Sequence, residues 1–366
     1  MYGSRSHDGR STARCEWTLG TGTVVASKPL ARAVDPRSQL QRIQARPEAG
    51  TWAVILAGGQ GLRLRPLTEY VCGDARPKQF ARLLGPHSLL RQTMERTALG
   101  IPRARTVVVA HRSHVAYLAE DLAGLAEPPH VLLQPDDRGT GAAILLAAQW
   151  ITAQEREATV AVFPSDHFVR GTVAFMRHVL GVADHVRRHA GPLVLLGVVP
   201  SDPEPQYGWI RLGARLGEVD GEPLYRVAGF TEKPSPEGAR LACARGDLWS
   251  TLILVGAAQA LVGLGWQAAP LVSERLAEIR WSGTAEHDAA AVASAYGRIP
   301  RLDFSRGVLE QQPPLLTVSQ LPSRILWSDW GTLDRVVTSL RAAGLAPAWM
   351  RELDRANPAA ARPIPN

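Results

Sequence analysis

The chain has 366 residues, 45% of them hydrophobic and 20% charged, with a formal net charge of +7. This length and apolar content predict a soluble globular protein with one large α/β domain or two smaller ones. More than half of the charge excess lies in the first fifty residues. The small remainder suits anionic small substrates, and the absence of any nucleic-acid-binding motif argues against a nucleic-acid partner.

The sequence also predicts where the protein works. No stretch approaches eighteen consecutive apolar residues, and the first fifty residues lack the apolar run of a secretory signal. We therefore expect no membrane association and a cytoplasmic location. Cys15, Cys72 and Cys243 are far apart without metal-binding spacing, which predicts unpaired thiols and neither disulfides nor a zinc site.

The first elements in chain order predict a parallel sheet. Residues 1–50 lack sustained apolar periodicity and predict a disordered extension, with a strand at most near 17–25. From Thr51 onward, apolar and β-branched runs alternate with helical patterns, which predicts a doubly wound α/β domain over 51–345 with a mostly parallel, twisted sheet. The predicted strands are 52–57, 106–110, 130–133, 159–163 and 193–198, and the predicted helices are 88–99 (with Ser88 as N-cap), 113–125, 140–151 and 173–189.

The pattern becomes mixed after residue 200. Strands are predicted at 207–213 and 225–234, then a helix at 235–246 and further helices to about Tyr296. A short strand at 324–327 and a helix at 331–341 follow, and 346–366 predict a Pro/Ala-rich C-terminal tail. No repeat of fixed period is present, which excludes an appended β-helix domain.

The first strand leads directly into a glycine-rich segment, GGQGLRLRPL. Gly58, Gly59 and Gly61 allow backbone N–H groups to wrap a phosphate chain, and Arg63 adds a charged fork. The spacing G-G-x-G-x-R differs from the Rossmann and P-loop fingerprints. The alternative interpretation is a tight strand-to-helix turn that binds nothing.

Lysine is rare in this chain. Only Lys28, Lys78 and Lys233 occur, against 38 arginines, so retained lysines are candidates for positions that need a compact ammonium. Lys78 follows Pro77 in RPKQF and is predicted to grip the α-phosphate and stabilise charge as pyrophosphate departs. An exposed, solubilising lysine is the alternative.

These motifs carry a family resemblance. AVILAGGQGLRLRPLT, RPKQFARLLG and SLLRQTMERT resemble segments of the mannose-1-phosphate guanylyltransferases within the nucleotidyltransferase superfamily, and PKQF is the most specific part. The resemblance continues through QPDDRGTGAAILLAA, FPSDHFV, YGWIRLG, FTEKPSPEGA and WSDWGTLDRV, and so covers residues 51 to about 340. It implies a Rossmann-like α/β/α nucleotidyltransferase fold. It also implies transfer of a nucleoside monophosphate from GTP to mannose 1-phosphate, with Mg²⁺ and release of pyrophosphate.

Two aspartates are predicted to end short strands, Asp166 in VAVFPSDHFV and Asp329 in WSDWG. Two carboxylates in one crevice predict an octahedral Mg²⁺ site completed by phosphate oxygens. Each aspartate alone could instead cap a helix. His167 is expected to pack nearby, since a sugar phosphate is already an anionic nucleophile and needs no general base.

The resemblance assigns further roles. It implies that Lys233 holds the sugar phosphate, that Glu232 accepts hydrogen bonds from sugar hydroxyls, and that the backbone of Gly208 approaches the sugar ring. Gln134, Gly139 and Thr140 fall where relatives read the base. The implied catalytic set is Arg63, Lys78, Asp166, Lys233 and Asp329.

Three departures concern the choice of base and sugar. Leu62 stands where family members commonly have Thr, Gly139 where they have Asn, and Ser250 where they have the Asn of a W-N-S-G segment. Two alternatives stay open: a thymidylyl- or uridylyltransferase acting on glucose 1-phosphate, and a catalytically silent subunit that senses nucleotide sugars. The sequence leaves oligomeric state open, a homodimer included.

Overall fold

The computed structural model describes residues 18–19, 22–23, 50–189 and 193–356. Thr18–Leu19 and Gly22–Thr23 pair with each other in antiparallel fashion. The rest of the predicted N-terminal extension lies outside the described residues, as does Cys15. Cys72 and Cys243 are free thiols, as expected.

The domain that follows residue 50 is built around a nine-stranded sheet. In chain order the strands of this domain are β1 (Thr51–Ala57), β2 (Thr106–His111), β3 (His130–Gln134), β4 (Thr159–Pro164), β5 (Phe168–Arg170), β6 (Leu193–Val198), β7 (Gly208–Val219), β8 (Glu222–Glu232), β9 (Leu248–Ala257), β10 (Leu316–Gln320) and β11 (Leu326–Ser328). The strand order of the sheet is β3-β2-β1-β4-β9-β6-β10-β8-β7, and β5 pairs with β11 in a separate antiparallel ribbon. All strands of the sheet except β8 and β9 point in the same direction, so the sheet is mostly parallel as predicted.

Helices cover both faces of the sheet, which gives the predicted α/β/α arrangement. Alternate residues of β1 show why: Trp52 and Val54 enter one apolar cluster, whereas Ala53 and Ile55 enter others, because successive strand side chains point to opposite faces. The helices are α1 (Arg65–Cys72), α2 (Leu89–Thr97), α3 (Val115–Leu122), α4 (Gly139–Gln154), α5 (Thr172–His189), α6 (Pro236–Ala244), α7 (Ala258–Ala268), α8 (Pro270–Ala277), α9 (Ala285–Tyr296), α10 (Leu333–Ala342) and α11 (Ala348–Ala356).

Most of these strands and helices were predicted from the sequence. The predicted strands up to residue 198 are present, and Ser88 caps α2 by accepting a hydrogen bond from the Arg91 N–H at 2.9 Å. The helix predicted at 235–246 is present as α6, and helices also occupy most of 258–296. The prediction was wrong only where residues 248–257 form β9 in the middle of the sheet. β10 was not predicted at all. No helix in the described part of the chain is long and apolar enough to cross a membrane.

The segment beyond residue 345, which we predicted to be a tail, packs into the domain as far as 356. In α11, Trp349 and Met350 are buried in an apolar cluster with residues of α1, α2 and α10. The indole N–H of Trp349 also donates to the Leu83 carbonyl at 2.8 Å. The predicted tail beyond residue 356 lies outside the described residues.

We therefore expect Trp349→Ala to lower the free energy of unfolding by about 3–5 kcal/mol, as for other buried tryptophans, since it opens a cavity and leaves a carbonyl unpaired. The matched control is Trp266→Ala, because Trp266 is 45% exposed and Trp349 only 7%. Chemical denaturation of both variants measures the difference. Equal losses would show that α11 does not contribute to the core.

Candidate active site

A crevice of 450 Å³ opens at the carboxyl ends of β1, β3 and β4. Ligand crevices of open α/β sheets lie at these strand ends, because the connecting loops converge there. The crevice gathers several residues predicted to bind the nucleotide or the metal, namely Gly58, Gly59, Gln134, Gly139, Thr140 and Asp166.

The glycine loop (residues 58–61) is held in shape by the PKQF segment. Gly61 has a φ of +60°, and a Cβ there would lie 2.6 Å from the Lys78 backbone nitrogen. The buried Gln79 amide donates to the carbonyls of Ala57 and Gly59 at 3.0 and 2.7 Å. The two motifs are therefore one structural unit, in which only glycine fits at position 61.

Lys78 links the Asp166 carboxylate to the backbone of the turn that contains Asp329. Its ammonium lies 2.8 Å from the Asp166 carboxylate and donates to the carbonyls of Asp329 and Trp330 at 2.6 and 3.1 Å. Lys78 is 6% exposed. A lysine has three N–H donors, so these three oxygens use all of them. A direct bond to a phosphate would require Lys78 to give up a partner.

Asp329 sits at the turn between β11 and α10, where several donors fix it. Its Oδ1 accepts hydrogen bonds from the Tyr207 hydroxyl at 2.9 Å, from the Gly331 N–H at 2.9 Å and from Arg335 at 3.0 Å. Arg335 also lies over the Tyr207 ring, 4.3 Å from its centroid, and pairs with Glu204 at 2.7 Å. Thr332, and not Asp329, caps α10, so the helix-cap alternative does not apply to Asp329.

Both carboxylates are held ionised. Burial alone would raise the pKa of Asp166, but the Lys78 ammonium outweighs it and holds that pKa below its usual value. Burial likewise opposes ionisation of Asp329, and the neighbouring cations, Arg335 and Lys78 among them, lower its pKa overall. Both carboxylates are thus anionic, Asp166 beside the Lys78 ammonium and Asp329 beside Arg335, and each keeps lone pairs available for a cation.

His167 is a packing residue, as expected. Burial lowers its pKa to about 4, so the ring is neutral near pH 7. Its Nδ1 accepts a hydrogen bond from the Trp327 indole at 3.3 Å. A neutral ring already in use as an acceptor is poorly placed to act as a general base.

The predicted sugar-phosphate residues form a second group beside Asp329. Gly208 faces Glu232 across the β7–β8 pair, and a Cβ on Gly208 would lie 2.7 Å from the Glu232 carboxylate. Lys233, 48% exposed in its side chain, lies 3.3 Å from that carboxylate. Tyr207 connects this group to Asp329, one of the two predicted metal carboxylates, since its carbonyl accepts from the Lys233 backbone N–H at 3.2 Å while its hydroxyl donates to Asp329.

The residues predicted to read the base are constrained by their own hydrogen bonds. Gln134 accepts from the Tyr296 hydroxyl at 3.1 Å, and its amide nitrogen lies against Gly58. Thr140 accepts from the Phe304 N–H at 3.0 Å. A Cβ on Gly139, whose φ is +84°, would lie 2.4 Å from the Leu302 carbonyl, so residues 302–304 fill the space that an asparagine side chain would need.

Ser250 does not line the crevice in the described structure, but its neighbour Leu252 does. Leu252 has a φ of +56°, in the left-handed region that costs a branched residue energy, and it sits at a register shift in the β9–β6 pairing. Its N–H donates to the Ser250 hydroxyl at 3.4 Å. Ser250 thus supports the strained turn that places Leu252 in the crevice.

Sequence reasoning missed Gln79, Tyr207 and Arg335, which position other site residues. Each lies in a recognised motif: Gln79 follows Lys78, Tyr207 precedes Gly208, and Arg335 follows Asp329 in WSDWGTLDRV. Their polar character was visible, but their partners are distant in sequence and could not be deduced. Arg301 and Asp303, which also line the crevice, lie in a segment that carried no motif.

A comparison with known protein families shows which family the chain belongs to. The family model described as nucleotidyl transferase matches residues 52–341, most of the chain. The chain belongs to the nucleotidyl transferase family.

Individual relatives show which members of the family this chain resembles. The mannose-1-phosphate guanylyltransferase of Klebsiella pneumoniae is 34% identical over 197 residues, which cover 54% of this chain and 40% of that protein. The xanthan biosynthesis protein XanB of Xanthomonas campestris pv. campestris strain B100 is 38% identical over 198 residues, or 54% of this chain and 38% of that protein. The match spans about two fifths of the length of these curated relatives.

A solved structure agrees with the fold over most of the chain. The Thermus thermophilus protein described as mannose-1-phosphate geranyltransferase superposes with a TM-score of 0.67 at 29% identity, and covers 80% of this chain and 79% of its own. The Helicobacter pylori protein described as mannose-6-phosphate isomerase superposes with a TM-score of 0.57 at 19% identity, which bears on the fold alone.

Proposed function

We propose that the protein transfers a nucleoside monophosphate from GTP to mannose 1-phosphate and releases pyrophosphate. The observation that carries the proposal is the contact of Lys78 with both the 329–330 turn and Asp166, which itself lines the glycine-loop crevice. The family match and the names of the relatives support the reaction class and this substrate pair. The proposed location is the cytoplasm, which the free thiols of Cys72 and Cys243 support.

The triphosphate is bound by the glycine loop and by Arg63. The loop offers backbone N–H groups to phosphate oxygens because Gly58 and Gly59 have no side chains to block them. Arg63 is exposed, and it donates a hydrogen bond to the neutral side-chain oxygen of Gln206 at 3.0 Å. Its guanidinium can exchange this neutral acceptor for a phosphate oxygen, which accepts a stronger, charge-assisted hydrogen bond.

The carboxylates of Asp166 and Asp329 fit a Mg²⁺ ion. Mg²⁺ commonly takes one or two protein carboxylates and completes its octahedron with phosphate oxygens and water. Within the described ranges no group of three or more His, Cys, Asp or Glu side chains is arranged to hold a metal. The proposed site therefore combines the two carboxylates with phosphate oxygens and water. When bound, the ion would neutralise negative charge on the phosphates at the reacting centre.

The chain's own residues position the reactants. Lys233 and Glu232 hold the sugar phosphate so that one of its phosphate oxygens faces the α-phosphorus. That oxygen forms the new P–O bond while the bond from the α-phosphorus to the bridging oxygen breaks, and pyrophosphate leaves with the electron pair. Lys78 ties the Asp166 carboxylate to the backbone of the 329–330 turn and so fixes the two segments relative to each other during the transfer. Positioning and charge neutralisation supply most of the rate in such transfers.

The substrate pair is tested by measuring pyrophosphate release for ATP, GTP, CTP, UTP and dTTP, each with mannose 1-phosphate and with glucose 1-phosphate. We expect the highest kcat/KM for GTP with mannose 1-phosphate. A higher value for dTTP or UTP with glucose 1-phosphate would replace this pair by the alternative one and leave the reaction class intact.

We expect weak discrimination between sugars, because a site that has lost a hydrogen bond to a substrate hydroxyl rejects analogues poorly. Ser250→Asn should raise the ratio of kcat/KM for mannose 1-phosphate over glucose 1-phosphate by about two- to tenfold, equivalent to one hydrogen bond of about 0.5–1.5 kcal/mol. Ser250→Ala, which adds no amide, is the control. An unchanged ratio in Ser250→Asn would show that this position does not read the sugar.

A further inference from the structure

A second cavity, of 240 Å³, lies beside β5. Among the described residues, only His167 lines both this cavity and the crevice at the carboxyl ends of β1, β3 and β4. We call it the arginine cavity. Its lining includes five polar residues and the glycine that precedes α5: Gln92, Arg96, His167, Arg170, Thr172 and Gly171.

The arginine cavity contains a buried cation whose contacts are neutral. Arg96 is only 7% exposed, and it donates a hydrogen bond to the Thr93 hydroxyl at 2.8 Å. Its Nε has no hydrogen-bond partner among the described residues. Apart from Thr93, the guanidinium lies near the Phe175 ring, 5.7 Å from the centroid.

Such a cation is costly to bury. The penalty for burying an unpaired charge is several kcal/mol, and buried arginines in proteins are normally paired with carboxylates. Burial lowers the pKa of Arg96 to about 10, which still leaves the side chain charged near pH 7. A bound anion would supply the missing partner.

The end of a helix points into the same cavity. Gly171, with a φ of +88°, leads into the eighteen-residue α5, and both Gly171 and Thr172 line the cavity. The first backbone N–H groups of a helix have no partner within the helix, and the helix dipole favours negative charge there. These N–H groups and the Arg96 guanidinium therefore converge on one space.

The remaining lining favours an anion as well. Arg170 adds a second guanidinium at the cavity. No Asp or Glu is among the described residues that line it. The cavity thus has positive charge and unused donors without a competing carboxylate.

We propose that the arginine cavity binds a small tetrahedral oxyanion of the phosphate class, held by Arg96 and the N-terminus of α5. This site is separate from the substrate crevice and does not depend on the proposed function. Its position gives it a structural consequence: β5 begins two residues after Asp166, and its partner β11 ends just before Asp329. An anion here would therefore stabilise the strand pair that carries both carboxylates.

The test is calorimetric titration of the full chain with inorganic phosphate, with chloride used to hold the ionic strength constant. A thermal melt at each concentration provides a second readout, because a ligand that binds only the folded state raises Tm. A parallel titration with pyrophosphate separates two sources of the same chemistry, free phosphate and the reaction product. We expect saturable binding with a rising Tm, and the tighter of the two anions is the natural occupant.

Variants decide where the anion binds. Arg96→Met keeps an unbranched side chain of similar length without charge and should raise the dissociation constant by at least about tenfold, as loss of a charge-assisted hydrogen bond predicts. Arg170 is exposed, so Arg170→Gln should leave folding intact and raise the constant several-fold. Arg63→Gln, which alters the substrate crevice instead, should leave it unchanged.

Unaltered phosphate binding in both Arg96→Met and Arg170→Gln would overturn the proposal, as would a wild-type protein that neither binds phosphate nor gains Tm from it. If Arg96→Met does not fold, Arg170→Gln decides alone. Loss of binding in Arg63→Gln but not in the cavity variants would assign the anion to the substrate crevice and also contradict the proposal.

Discussion

Asp166→Asn and Asp329→Asn should each lower kcat by about 10²–10³, the range typical for loss of one group that stabilises transition-state charge. Asparagine preserves the shape of each side chain but removes one of the two negative charges available to the metal. Asp166→Asn also leaves Lys78 without its ionic partner, and Asp329→Asn weakens the contact with Arg335. Pyrophosphate release at saturating Mg²⁺ measures the effect.

The matched control is Asp334→Asn, since Asp334 is an exposed aspartate in the first turn of α10, five residues from Asp329. Its kcat should stay close to the wild-type value. Far-ultraviolet circular dichroism of all three variants verifies that they are folded. Wild-type turnover in either metal-site variant would show that the carboxylates have been assigned the wrong role.

Lys78→Arg should lower kcat by at least about tenfold even though it keeps the charge. The ammonium fits among three oxygens at 2.6, 2.8 and 3.1 Å in a site that is 6% exposed. A planar guanidinium is larger and cannot direct its donors to the same three points. Overpacking of this kind typically costs about 1–3 kcal/mol, so the free energy of unfolding should fall as well.

Lys233→Arg provides the comparison within the same chain. The Lys233 side chain is 48% exposed, and its acidic partner, Glu232, lies at 3.3 Å. We therefore expect Lys233→Arg to lower kcat less than Lys78→Arg does and to change the free energy of unfolding little. Steady-state kinetics and denaturant melts of the two variants are measured side by side. Wild-type kinetics in both would mean that the rarity of lysine reflects composition alone.

The sequence predicted those parts of the fold that local patterns determine. β1, β2 and β4 are continuous apolar runs between helical patterns, which identifies buried parallel strands. β9 was missed because its second half, LILVGA, is an apolar run that continues into the apolar sequence of α7, and periodicity cannot separate a buried strand from a buried helix. Its place between β4 and β6 depends on antiparallel pairing with strands far away in sequence.

The site was predictable to the same extent. Motifs pointed to Asp166, Lys78 and the glycine loop, because each is a local arrangement of residue types. They did not reveal that all three N–H donors of Lys78 bond to Asp166 and to the 329–330 turn. The contact with the turn joins residues about 250 positions apart, which local patterns cannot indicate. For the same reason the sequence showed Gly139 only as a departure from the Asn of family members, whereas in the structure the Leu302 carbonyl occupies the space a side chain would need.

The most direct test of the central claim is whether pyrophosphate release requires both substrates. Purified protein is incubated with Mg²⁺ and GTP, with and without mannose 1-phosphate, and pyrophosphate and nucleotide sugar are quantified together. The proposed reaction predicts equal amounts of the two products, formed only when both substrates are present and abolished by EDTA. Tight binding of nucleotide sugar without pyrophosphate formation for any nucleotide and sugar phosphate would contradict the account and identify the chain as a silent, nucleotide-sugar-binding member of its family.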